Sequence, residues 1–149
     1  MSLGGGGGQA QQIAQQIEEL EQHREALEAE IEGLQQQQSE IDEAVEAIDE
    51  LDTGSTVQVP IGGGAYVRAE VRDIDEIIVD LGADYAAERD QDGAKDSLQS
   101  KRNIIDDRIE ELRSEIAEIE TETEKLEQRA EQMQAQQLQQ LQQQQQQEE

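Results

Sequence analysis

Two runs of residues spaced alternately four and three apart constrain this chain more than any other feature. The first passes through Ile13, Ile17, Leu20, Arg24, Leu27, Ile31, Leu34, Gln38, Ile41, Val45 and Ile48. The second passes through Leu98, Arg102, Ile105, Ile109, Leu112, Ile116, Ile119, Thr123, Leu126, Ala130 and Met133. A mean spacing of about 3.5 residues keeps a seam facing its partner only when two helices wind left-handedly around each other. The runs match in length and phase, and a compact insert joins them. The prediction is a mainly α chain, a long antiparallel coiled-coil hairpin whose arms each extend about 60 Å for about 40 residues. Arg24 and Gln38 are polar seam members that set register at some cost in stability. Gly33 falls on the outer face, where it weakens the helix by roughly 1 kcal/mol.

The insert has a different period. Val57, Val59 and Ile61 alternate with polar or turn residues, and Ala65, Val67, Ala69 and Val71 alternate with Tyr66, Arg68, Glu70 and Arg72. That is the pattern of half-buried strands. Gly62-Gly63-Gly64 supplies the unrestricted dihedrals of the turn between them. A third strand is read at Ile77–Leu81, and Gly82 turns it into a fourth around Tyr85–Arg89. The insert therefore reads as two consecutive β-hairpins between the helices. Four short strands without Phe or Trp make a thin core and leave unpaired edges. Pairing with the same element of neighbouring subunits is the simplest remedy. Val57, Val59, Val67, Val71, Ile77, Val79 and Leu81 are the expected assembly residues.

Five segments follow. Residues 1–8 form a Gly-rich leader that is costly to order alone. Residues 9–53 are the first helix, ended by Asp52-Thr53-Gly54 with Gly54 as C-cap. Residues 54–90 are the double-hairpin platform, residues 91–133 the second helix, and residues 134–149 a Gln-rich tail, either helical or disordered. Asp90 or Asp92 is read as the N-cap of the second helix.

Composition narrows the function. The net charge of −26 excludes nucleic acid, whose binding needs phosphate neutralisation by Lys and Arg, and disfavours anionic membranes. With no cysteine there is no disulfide framework or thiolate chemistry. No signal peptide and no run of membrane-spanning length is read, so a cytoplasmic chain is expected. Such an excess of acid resembles the acidic proteins of salt-in halophiles. His23 is the single histidine and sits at a flanking, solvated position. Gly62–Gly64 lacks the Lys-Ser/Thr of a phosphate loop, and Asp90-Gln91-Asp92-Gly93 lacks the ligand pattern of an EF-hand. No catalytic, cofactor-binding or metal residues are assigned; the chain reads as a non-enzyme.

Ile13, Ile17, Met133, Leu138 and Leu141 are expected together at the arm ends, as seam or as adaptable apolar surface for another protein. The flanking positions carry Glu21, Glu28, Glu30, Asp42, Asp49, Asp106, Glu115, Glu120, Glu122 and Glu127 against Arg108, Arg113 and Arg129. Like charges beside a seam destabilise it unless salt screens them.

Helix, VPIGGGAYVRAEV, IIVDLGADYAAER, helix is an arrangement that resembles the α-subunit family of archaeal prefoldins. The likeness covers essentially the whole chain and is strongest in Val57–Val71 and Ile77–Arg89. The Gly-rich start, Gln-rich end and acidity are similar to its haloarchaeal branch; Asp84 stands where members often carry Gly. The resemblance implies a hexamer of two α and four β subunits with the hairpins in a shared base. It also implies an ATP-independent holdase whose coiled-coil tips capture unfolded proteins and pass them to a group II chaperonin. That places client binding at the five arm-end residues above. The other reading is a coiled-coil scaffold or adaptor without unfolded-protein clients.

Overall fold

The computed structural model describes residues 3–147, with side chains from Gly8 onward. The order is α1 (Leu3–Glu50), β1 (Thr56–Gly62), β2 (Ala65–Glu70), β3 (Ile77–Gly82), β4 (Tyr85–Arg89) and α2 (Gln91–Gln147). Two long helices thus bracket two small antiparallel hairpins. Both helices run past the heptads: α1 begins inside the expected leader 1–8, and α2 continues through the expected tail to Gln147. Residues 1, 2, 148 and 149 of those segments lie outside the described residues. The extension follows from cooperativity, because a nucleated helix adds one hydrogen bond per residue and Gln propagates it well.

The chain divides into two compact units, an arm unit of residues 1–32 and 110–149 and a platform unit of residues 33–109. In the arm unit Ile13, Leu27 and Ile31 of α1 and Leu112 and Ile119 of α2 are buried. All are seam positions of the heptads. Leu112 is fully enclosed, worth about 1.5–3 kcal/mol for a side chain of that size.

The platform unit buries Ile41 and Ile48 of α1, Ala94 and Ile109 of α2, and Val79 of β3. Its two helix segments are antiparallel. Lys95 pairs with Asp49 and Arg102 with Asp42, so seven residues back along α1 answer seven forward along α2. Gln38, buried four residues before Asp42, donates to the Arg102 carbonyl and to Asp106, four residues after Arg102, keeping the same register. A polar seam residue is tolerated here because its amide has partners.

The helix ends are satisfied locally. Leu51 N–H still bonds the Ala47 carbonyl, and Gln91 Nε2 donates to the Ile48 and Leu51 carbonyls at 2.6 and 3.2 Å. These are orphan C=O groups of the α1 terminus. Gly54, expected as the C-cap, instead serves the turn that follows. Ser55 N–H bonds the Asp52 carbonyl, and Gly54 has φ 92°. Asp90 is the N-cap of α2, its Oδ1 accepting the Gly93 N–H at 2.7 Å. A Cβ at Gly93 would lie 2.6 Å from that oxygen, which explains a glycine in a helical first turn.

Candidate functional site

The two hairpins are built on one plan. β1 pairs with β2 through Val57↔Ala69 and Val59↔Val67, and β3 pairs with β4 through Ile77↔Arg89 and Val79↔Ala87. In each, the register shifts beside the turn, at Pro60/Gly62 and at Asp80/Gly82, so Ile61 and Leu81 are bulged. A two-residue turn with positive φ at both positions then closes the strands: Gly63 and Gly64 at 61° and 79°, Ala83 and Asp84 at 51° and 63°. These are the dihedral signs of the turn whose twist suits a hairpin. The second turn reaches them without glycine. Asp80 helps by accepting the Gly82 N–H at 2.9 Å.

Their surroundings differ. The second hairpin is packed on its own chain: Val79 is only 5% exposed and clusters with Ile48 and Ala94, with Ile77 and Leu98 alongside. Lys101 Nζ of α2 also donates to the Asp80 carbonyl at 2.8 Å. The first hairpin has no such cover. Val59 and Val67 stand opposite each other at 44% and 48% exposure, and Ile61 is more exposed still. Its foot is fastened by Ser55 and Val71, where Val71 N–H bonds the Ser55 carbonyl and Gly54 N–H bonds the Val71 carbonyl.

The expected assembly residues therefore separate into two sets. Val59, Val67 and Leu81 are exposed, while Val57 and Val71 are half-buried. Val79 is buried in the platform unit's own core, and Ile77 packs half-buried against it. Period-two alternation marks an apolar face without saying what will cover it. In the arm unit Ile13 is buried and Ile17 and Met133 are half-buried, so all three sit in the seam. Leu138 and Leu141 stay 60% and 57% exposed. Tyr66 and Tyr85 were not among the expected residues, although they are the only aromatics in the chain and both are exposed beside the turns. Their rarity was the available signal.

The flanking acids are answered by more cations than the second-arm arginines alone. Arg24 lies among Glu21, Glu28 and Glu120, and these carboxylates, Glu21 first, raise its already high pKa. Arg102 makes a two-pronged contact with Asp42, at 2.8 and 3.3 Å, and meets Asp106 as well. The hydrogen bond from Lys95 to Asp49 raises the pKa of that ammonium. All these groups are partly solvated, so salt modulates them. Among the described residues no cluster of three or more His, Cys, Asp or Glu could hold a metal, and no helix is long and apolar enough to cross a membrane.

Comparison with known proteins adds an independent line. Residues 15–147 match the family model described as Prefoldin subunit. The chain is 60% identical over 116 residues to the prefoldin subunit alpha of Haloarcula marismortui, covering 78% of this chain and 75% of that one. It is 54% identical over 113 residues to the prefoldin subunit alpha of Halobacterium salinarum, covering 75% and 73%. Among solved structures it resembles a chain of the filamentous PFD from Methanocaldococcus jannaschii, determined by cryo-EM. The TM-score there is 0.53 at 27% identity, over 80% of this chain and 96% of that one.

Proposed function

The chain belongs to the prefoldin family and is a prefoldin chaperone subunit of the haloarchaeal α type; from that premise we propose how it works. It acts as an ATP-independent holdase in the cytoplasm, gripping unfolded proteins through its arms and handing them to a group II chaperonin. It does so as part of a complex with prefoldin β subunits, two α and four β, joined through the hairpins. The observation that carries client binding is the exposure of Leu138 and Leu141 on α2, beyond the last heptad residue. Apolar side chains that a coiled coil does not enclose are available to other chains, while Ile13, Ile17 and Met133 hold the seam beneath them. Each grip is weak, and several arms on one base raise the effective concentration enough to retain a client. Flexible contacts suit clients of varied sequence.

The test uses the complex purified with its partner subunits and a chemically denatured protein whose aggregation is followed by light scattering without nucleotide. Replacing Leu138 and Leu141 together by Ser removes exposed side chains only, so helicity and complex mass should be unchanged. Suppression of aggregation is expected to fall severalfold. Full suppression by an intact double variant would move client binding elsewhere. No suppression even by the native complex would favour a scaffold or adaptor.

A further inference from the structure

One peptide link in this chain is chemically fragile by its sequence. Asp92-Gly93 is the only place where Gly follows Asp or Asn. With no side chain on Gly, its nitrogen meets little hindrance in attacking the carboxyl carbon of the preceding Asp side chain. The attack closes a five-membered succinimide and expels a carboxyl oxygen as water. Water then reopens the ring at either carbonyl. One product is aspartate again; the other is isoaspartate, whose main chain runs through Cβ and Cγ. The fold itself asks for this glycine, since a Cβ at position 93 would stand 2.6 Å from Asp90 Oδ1.

The same geometry restrains the reaction. The Gly93 N–H lies in the first turn of α2 and is held by Asp90 Oδ1 at 2.7 Å. Ring closure needs that nitrogen to give up its proton and swing toward the Asp92 side chain, which a helical ψ of about −42° prevents. Lys95 Nζ, 3.6 Å from Asp92 Oδ1, draws that side chain along the helix. The turn is also clamped from outside. Gln91 Nε2 donates to the Ile48 and Leu51 carbonyls of α1, and Ala94 is fully buried in a cluster with Ile48 and Val79. Gly93 nitrogen is therefore released only when the first turn of α2 opens, and that opening undoes the packing of the second hairpin.

We propose that Asp92 is a site of spontaneous isomerisation to isoaspartate, held off by the Asp90 cap and released by opening of the first turn of α2. One water is lost on ring closure and one is gained on ring opening, so no other reactant is needed. Asp90 takes no part in the bond changes; it is a positioning residue that occupies the attacking N–H. The rate follows the population of the locally opened turn, because only that state reacts. The product cannot restore the turn. One extra methylene separates Asp92 Cα from Gly93 N, so the Ala94 N–H loses its 2.8 Å bond to the Asp90 carbonyl or Ala94 leaves the cluster. Isoaspartate at position 92 is thus a covalent record that the anchored hairpin has come away.

The test incubates the full-length chain at molar salt and follows isoaspartate at position 92 by peptide mapping with electron-transfer fragmentation, which separates the two isomers. In water enriched in heavy oxygen, each ring opening leaves one heavy oxygen in the peptide. Asp90→Ala removes the cap and is expected to speed the reaction about fivefold, the scale of a lost N-cap. Asp90→Asn keeps an acceptor there and should stay within about twofold of wild type. Asp92→Glu should abolish the signal, because the longer side chain would have to close a less favourable six-membered ring. The chain unfolded in denaturant sets the upper rate. A second measurement holds even where Asp90→Ala fails to fold. Across a series of salt concentrations, isomerisation in wild type should rise and fall with amide exchange at Gly93. Equal rates in folded Asp90→Ala and wild type, a folded wild type as fast as the unfolded chain, isoaspartate without heavy oxygen, or isomerisation indifferent to Gly93 exchange would each overturn the proposal.

Discussion

The first and second hairpins are two answers to one geometric problem. Both bulge one residue before a two-residue turn at positive φ, yet the first uses Gly63-Gly64 and the second Ala83-Asp84. A non-glycine residue in the left-handed region costs roughly 1–2 kcal/mol. The second hairpin tolerates this because Val79, Ile77 and the Lys101 bond to Asp80 hold its strands from outside. The first stands exposed and has only its own ladder, so its turn must be unstrained. A strained turn is thus tolerable where tertiary packing overdetermines it. The bare hairpin carries no such reserve.

Substitution of one valine in each hairpin should break the comparison most visibly. Val79→Asp places an unpaired charge in the platform core, and several kcal/mol of stability should be lost. Thermal unfolding followed by circular dichroism should show a large fall in melting temperature. Val67→Asp alters an exposed position, so the isolated chain should melt almost normally while the complex comes apart on size exclusion. Equal melting behaviour for the two variants would contradict the division between anchored and bare hairpins.

Salt should produce the next largest effect. At about 1 M salt the Debye length is roughly 3 Å, and dilution restores repulsion among the flanking acids. Arg24, Arg102 and Lys95 offset part of that repulsion. Dialysis to low salt should therefore lower the melting temperature markedly, and more so in Arg102→Met than in wild type. Indifference to molar salt would mean that the acids are compensated throughout.

Turn exchange gives a smaller, signed effect. Gly63→Ala forces a Cβ into the left-handed region without outside support and should destabilise by about 1 kcal/mol. Ala83→Gly relieves strain but loosens the unfolded chain, leaving a gain of about 0.5 kcal/mol. Denaturant melts of the isolated chain read both, and identical signs would show that the turns are not under different constraint. Smallest of all, Lys101→Met should remove about 0.5–1 kcal/mol from the second hairpin, visible as faster amide exchange in β3 and β4 but not in β1 and β2.

Much of this molecule was legible in residue order because its information is local and periodic. Spacings of three and four prescribe helices that need a partner, alternation prescribes strands, and Asp90 caps whatever helix follows it. The site was only partly legible for the same reason. Val59 and Val79 occupy equivalent places, each two residues before the bulged residue of its hairpin, and nothing local distinguishes them. What decided between them was that β3 lies beside Ile48 and Ala94, residues about thirty positions before it and fifteen after. The leader and tail show the converse limit. Glycine and glutamine carry no seam, so their helicity was set by the helix already running into them, through cooperativity. Sequence alone determined which elements form and which faces are apolar. Only the tertiary structure decided which apolar face is consumed by the chain itself and which is left bare, because burial depends on contacts between residues distant in sequence.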